Sequence, residues 1–160
     1  MVLFASLAVG PFAAQSQTLS SGIVTYVADG DTVYVRLSEH MPSVPLRLLG
    51  IDAPEICQEG GQAARQALQA LLQDQPITFL RQHTDGYGRE LATVYWQGQD
   101  VARALVERGM AWSYRFGRDP GPYAREQQMA RAAGLGLFAQ PNPEPPHRFR
   151  QRHGSCKTAP

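Results

Sequence analysis

At 160 residues, with 43% of them hydrophobic, the chain is long enough for one domain with a real core, which excludes wholesale disorder. The net charge of +1 hides an imbalance: residues 1–100 carry five Arg against ten Asp/Glu, and residues 101–160 carry nine Arg and one Lys against four Asp/Glu. Arg outnumbers Lys fourteen to one, an excess that suits bidentate contact with phosphate but equally follows from genome composition.

The first charge is Asp29. The apolar run from Val2 to Ala14, broken at Gly10-Pro11, is shorter than the roughly 20 residues a membrane span needs. It has the pattern of a signal-peptide apolar region, without the usual basic start, followed by small residues suited to cleavage near Gln17. Residues 1–16 are therefore expected to be an export signal, residues 22–139 the folded domain and residues 140–160 a tail. No stable membrane span is expected.

From Gly22 the pattern is short strands. "GIVTYVA" runs into a turn at Asp29-Gly30-Asp31, and "TVYVRL" alternates Val33, Val35 and Leu37 against Thr32, Tyr34 and Arg36. After the loop "SEHMPS" comes a third strand, "VPLRLLGI", completing an antiparallel meander. The period then changes to helical in "QAARQALQALL", with Ala64, Ala67, Leu68, Leu71 and Leu72 on one face. "PITFL" and "RELATVYW" return to strand around the turn residues Asp85-Gly86 and Gly88. Asp100 is placed to cap a helix, "VARALVERG", that packs Val101, Ala104 and Leu105. Pro122 opens a last helix, ended by Gly134. Beyond Phe138, five prolines and scattered charges have too little to bury, so the end reads as a solvated tail. The fold class predicted is α+β: a five-stranded OB-type barrel with three helices.

Arg47 lies between Leu46 and Leu48, so with the leucines inward it projects from the barrel wall. Pro54 ends that strand and leaves Asp52 and Glu55 fixed at its exit. Asp29 and Asp31, at the turn before the second strand, are expected at the same rim. Such hard oxygen donors suit Ca²⁺ or Mg²⁺ and not Zn²⁺. Arg89 supplies a second guanidinium after a glycine-rich turn. Two arginines, a hard cation and a spare carboxylate are what phosphodiester cleavage requires: charge stabilisation at phosphorus, a positioned water and a proton acceptor.

At "DGDTV" (29–33), "RLLGIDAPE" (47–55) and "DGYGRELATVY" (85–95), supported by "VARALVERGMAWSY" and "GLGLF", the chain resembles the staphylococcal-nuclease-like (thermonuclease) domain from Ile23 to Phe138. The resemblance implies a Ca²⁺-dependent endonuclease of DNA and/or RNA that leaves 3′-phosphate ends, and the chain is expected to be a monomer. It implies Asp31, Asp52 and the Ala53 carbonyl as ligands of one Ca²⁺ ion, Glu55 as general base, and Arg47 and Arg89 on the scissile phosphate. Asp29 and Thr32 would support the ligands, with Tyr87 and Tyr114 beside the nucleotide. Three departures stand out. Ala53 replaces a frequent Thr, the segment after "DAPE" lacks a lysine-rich loop, and Phe138 stands where Trp is common.

Cys57 and Cys156 are either two free thiols or, in an exported protein, a disulfide that ties the tail to the loop after "DAPE". Trp112 and Tyr114 are candidates for stacking on bases, while Tyr34, Phe79, Tyr95 and Trp96 read as core or wall. No histidine has a partner at suitable spacing. The alternatives are a non-catalytic OB-fold nucleic-acid-binding module and a metal phosphodiesterase acting on a small nucleotide.

Overall fold

The computed structural model describes residues 18–156. The export signal expected over residues 1–16 lies outside the described residues. Strands β1 (Leu19–Val27), β2 (Thr32–Arg36) and β3 (Val44–Leu48) form the antiparallel meander, with Val24, Val27, Val33, Val35, Leu46 and Leu48 turned into the core. A short β4 (Ile51–Asp52) follows, then helix α1 (Gly61–Leu72), which buries Ala64, Leu68 and Leu72. Strands β5 (Pro76–Thr84) and β6 (Glu90–Trp96) pair antiparallel, and β5 also pairs with β1. A parallel pairing of β3 with β6, Leu46 opposite Glu90 through Leu48 opposite Ala92, joins the outer strands. The sheet is thereby a closed five-stranded barrel with no free edge along that seam.

Strand β7 (Gln99–Asp100) folds back on β6, and helix α2 (Val101–Glu107) begins with the expected cap, Asp100 Oδ1 accepting from the Arg103 N–H at 3.1 Å. Its buried residues are Val101, Ala102, Leu105 and Val106. Ala102 and Val106 join the core, while Ala104 is only half buried, because α2 lies between β6 and helix α3 (Ala124–Ala132) and buries two faces. Strand β8 (Trp112–Ser113) pairs antiparallel with β4.

Phe138 lies in a 3₁₀ turn (Gly136–Ala139) and meets Trp112 edge-on at 5.1 Å between ring centroids. Trp112 is 9% exposed, with Arg131 stacked on its ring at 4.6 Å. It is therefore a packing residue and not an open platform for bases. Phe79 is fully buried in the core, and Tyr34 lies on the outer wall, tilted against Tyr26.

The chain end differs from expectation. Residues 140–160 read as a tail, yet Pro146–His153 forms a fourth helix, α4, with Pro146 in its first turn. Its sequence buries little apolar surface, so hydrophobic periodicity gives no sign of it. What holds it is polar and covalent. Gln58 Nε2 donates to the Glu144 carbonyl at 2.8 Å, and Cys57 and Cys156 form a disulfide that spans 99 residues. Among the described residues, no helix is long and apolar enough to cross a membrane.

Candidate active site

Two glycines let the catalytic segments approach one another. A Cβ on Gly30 would sit 2.7 Å from the Cβ atoms of both Ala53 and Ala64, so only a glycine lets the β1–β2 turn lie against the exit of β4. A Cβ on Gly61 would run into the Glu55 carbonyl, so the start of α1 can rest on the Glu55 backbone. The first approach brings Asp31 to Asp52, and the second fixes the stem of Glu55.

Asp31 is 4% exposed and makes several contacts. Its Oδ1 accepts from the Thr32 hydroxyl at 2.9 Å, and its Oδ2 accepts from the Ala53 N–H at 3.2 Å and pairs with Arg47 Nη1 at 2.5 Å. The other Arg47 nitrogen, Nη2, reaches Asp52 Oδ1 at 3.5 Å. One guanidinium therefore bridges two aspartates that lie 21 positions apart in the chain and meet at the barrel rim. Burial pushes Asp31 up, but the Arg47 charge and the Ala53 and Thr32 hydrogen bonds outweigh it, leaving the carboxyl below its usual range. Burial also opposes the charge on Arg47, and Asp31 and Asp52 reverse that effect. Asp29 accepts from the Asp31 N–H at 3.0 Å, and burial first, then the neighbouring Asp31 charge, push it up to about 7.

Arg89 arrives from the β5–β6 hairpin. Asp85 holds it through Nε at 2.9 Å and Nη2 at 2.8 Å, while its Nη1 donates to the Thr32 hydroxyl at 3.4 Å. Since Thr32 in turn donates to Asp31, both arginines are tied to the same aspartate. Tyr87, exposed at the hairpin tip, has its ring 5.4 Å from the Arg89 guanidinium. Tyr114 is half exposed and is anchored through its backbone N–H to the Gly50 carbonyl at 2.9 Å, just before β4.

The structure thus gathers Asp29, Asp31, Thr32, Arg47, Asp52, Ala53 and Glu55 at one rim, with Arg89 and Tyr87 joined through Thr32. Tyr114 is attached at the edge, without a side-chain contact to the acids among the described residues.

One residue of the cluster comes from "HRFRQRH" (147–153), a basic stretch that reads in the sequence as a solvated tail or as added phosphate contacts and not as a partner of these acids. Arg150 of α4 makes a bidentate pair with Asp52, Nη1 to Oδ1 and Nη2 to Oδ2 both at 3.0 Å, and its Nη1 also reaches Glu55 Oε1 at 3.1 Å. The second Glu55 oxygen accepts from the Cys156 N–H at 3.3 Å. The signal that leads to Arg150 is the cysteine pair. A Cys57–Cys156 bond necessarily brings the residues just before Cys156 to the loop after Glu55.

The acids are hard oxygen donors, buried or half buried, and the charge among them is offset by guanidinium groups that stand where a cation is wanted. That donor chemistry fits a divalent ion of the Ca²⁺ type. Among the described residues, however, no three His, Cys, Asp or Glu side chains form a ready-made metal site. Arg47 and Arg150 stand between them.

A model of the family described as "Staphylococcal nuclease homologue" matches residues 45–140. The chain is 38% identical to an "Uncharacterized endonuclease" of Haemophilus influenzae, over 81% of this chain and 72% of the relative. It is also 38% identical to "Protein ParB" of Escherichia coli, over 92% and 88%, and 34% identical to a "Micrococcal nuclease" of Shigella flexneri, over 81% and 80%.

Proposed function

The chain belongs to the staphylococcal nuclease homologue family, and from that premise we propose that it is a Ca²⁺-dependent endonuclease that hydrolyses DNA and/or RNA phosphodiesters to 3′-phosphate ends. Family membership supports endonuclease activity and a nucleic-acid substrate. The cation, the products and the residue roles are what the proposal adds. The observation that carries it is the rim itself: Arg47 bridging Asp31 and Asp52, and Arg89 linked to Asp31 through Thr32.

In this reading Asp31, Asp52 and the Ala53 carbonyl hold one Ca²⁺ ion, which when bound supplies Lewis-acid stabilisation of charge at phosphorus. Asp29 and Thr32 fix the Asp31 carboxyl. Arg47 and Arg89 grip the non-bridging oxygens of the scissile phosphate, each offering the paired N–H groups that phosphate accepts. Glu55 takes a proton from the attacking water as its oxygen bonds to phosphorus. The bond to the 5′-oxygen breaks, the departing oxygen, hydrogen-bonded by Arg89, takes a proton from solvent, and the phosphate stays on the 3′ side. Tyr87 and Tyr114 flank the nucleotide. Export is part of the same proposal, supported by the disulfide, which persists in oxidising compartments.

The test is digestion of single-stranded DNA with Ca²⁺ or with chelator, followed by end-group analysis. Degradation that needs the ion and leaves 3′-phosphates supports the reading. Protection of the strand in both conditions points instead to a non-catalytic binding module, and cleavage of a dinucleotide in preference to long DNA points to a small-nucleotide phosphodiesterase.

A further inference from the structure

We infer that α4 is a strap whose Arg150 competes with the divalent cation, so that binding of the ion at Asp52 and release of Arg150 from Asp52 and Glu55 are one exchange. The inference rests on the calcium site proposed above.

The contact is built into the chain from two sides. Arg150 takes both oxygens of Asp52 and one of Glu55, all within 3.1 Å. A guanidinium has donors only and no lone pair, so Arg150 cannot itself ligate the ion, and it occupies acceptor sites on both acids that the ion would use. Its charge also repels a divalent ion at the same carboxylate. The Cys156 N–H occupies the remaining Glu55 oxygen. Both oxygens of Glu55 thus accept hydrogen bonds from the chain end, one from the Arg150 guanidinium and one from the Cys156 backbone. Both the ligand and the base are therefore engaged by the same C-terminal segment.

The family model ends at residue 140, before α4 begins. Pro146 is the single buried residue of α4, so the helix is held by its ionic and covalent contacts and not by a core. The Arg150 side chain retains 30% exposure, which leaves solvent a path to displace it. The Cys57–Cys156 disulfide anchors the chain six positions beyond Arg150, so a displaced Arg150 stays close and rebinds at high effective concentration. The ordering of events is set by mass action. The ion lowers the population of the strapped form, and the strap lowers the apparent affinity for the ion, by the same factor.

The exchange is tested by calorimetric Ca²⁺ titration of the wild type, of Arg150→Gln and of the double variant Cys57→Ser with Cys156→Ser, alongside hydrogen exchange of residues 146–153 in the wild type. If the strapped form is about nine-tenths populated, Arg150→Gln binds Ca²⁺ about tenfold more tightly. The double cysteine variant falls between it and the wild type. Saturating Ca²⁺ accelerates exchange along α4 in the wild type, a readout that needs no variant to fold. Unchanged or weaker Ca²⁺ affinity in Arg150→Gln, or α4 exchange indifferent to the ion, overturns the strap. Weaker binding would make Arg150 a residue that holds the acids in place for the ion. If digestion needs Ca²⁺ and affinity does not differ, the strap alone fails. If no protein binds or cuts with Ca²⁺, the calcium site fails and takes the strap with it.

Discussion

Glu55 and Arg89 are the residues on which the chemistry is most exposed to test. Glu55 sits on a backbone braced by Gly61, so replacing its carboxylate by an amide keeps the side chain's shape and place while removing the proton acceptor and the charge that pairs with Arg150. Glu55→Gln is expected to lower turnover by about 10² or more while the thermal midpoint stays close to wild type. A variant with wild-type turnover removes Glu55 from the mechanism. Arg89→Ala is expected to be severely impaired and Arg115→Ala not, since Arg115 is exposed beyond β8, outside the cluster of acids at the rim. Comparable losses in the two would mean that the phosphate site has been misplaced. Asp85, which holds Arg89, has its carboxyl lowered: burial works against this, but the Arg89 and Tyr87 N–H groups and the Arg89 side chain outweigh it. A depressed carboxyl contributes stability above its ordinary value of 3.8, and that contribution disappears as pH falls through the lowered native value. Denaturant unfolding should therefore find Asp85→Asn less stable than wild type at neutral pH. The two should converge in strong acid, and a gap that persists there would assign the loss to something other than ionisation.

At the scale of elements, what was legible depended on the force that forms each one. The strands announced themselves through alternation, as in Val33, Val35 and Leu46, Leu48, because burial on one face imposes period two. Helix α1 did so through Ala64, Leu68 and Leu72, and α2 through its Asp100 cap. Helix α4 has no such stripe. Its anchors are the disulfide, the Gln58–Glu144 hydrogen bond and Arg150, and pairwise anchors between distant positions leave no periodic trace. The burial of Trp112 is illegible for a related reason: its partners Phe138 and Arg131 come from a 3₁₀ turn and from α3, brought to β8 only by tertiary packing. The turn carrying Asp31 makes an element-scale prediction. Gly30→Ala inserts a methyl group between Ala53 and Ala64, and overpacking of this kind costs about 1–3 kcal/mol. The relief lies in moving the turn away from β4, which separates Asp31 from Asp52. Unfolding and Ca²⁺ titration should therefore show lowered stability and weakened ion binding together. Loss of stability with unchanged ion affinity would uncouple the turn from the site.

Over the whole molecule, charge is segregated along the chain but folded into one place. The acid-rich first part supplies Asp29, Asp31, Asp52 and Glu55, and the arginine-rich last part returns Arg150 to them across 98 positions. The composition showed the segregation but not the return, since net charge says nothing about topology. Only the barrel closure and the Cys57–Cys156 bond determine which charges meet. A substrate phosphate therefore encounters a rim whose acids are largely offset by guanidinium groups, with Arg47 paired to Asp31 and Asp52 and Arg89 to Asp85. Each phosphate neutralised by arginine releases condensed counterions, so affinity for nucleic acid falls linearly with salt on a logarithmic scale, by about 0.7 per phosphate for single strands. If Arg47 and Arg89 meet separate phosphates in addition to outlying arginines, the slope of log affinity against log salt is steeper than about −1.4. If both converge on one scissile phosphate, they neutralise a single charge, and the slope contributed by the pair is about −0.7. Binding of single-stranded DNA to Glu55→Gln over a salt series, compared with the same series for Glu55→Gln combined with Arg89→Ala, separates the two. The proposed site expects the affinity to drop while the slope changes by well under about 0.7, because Arg47 still neutralises the shared phosphate. A slope shallower by the full increment of about 0.7 would put Arg89 on a neighbouring phosphate and leave Arg47 alone at the bond that breaks.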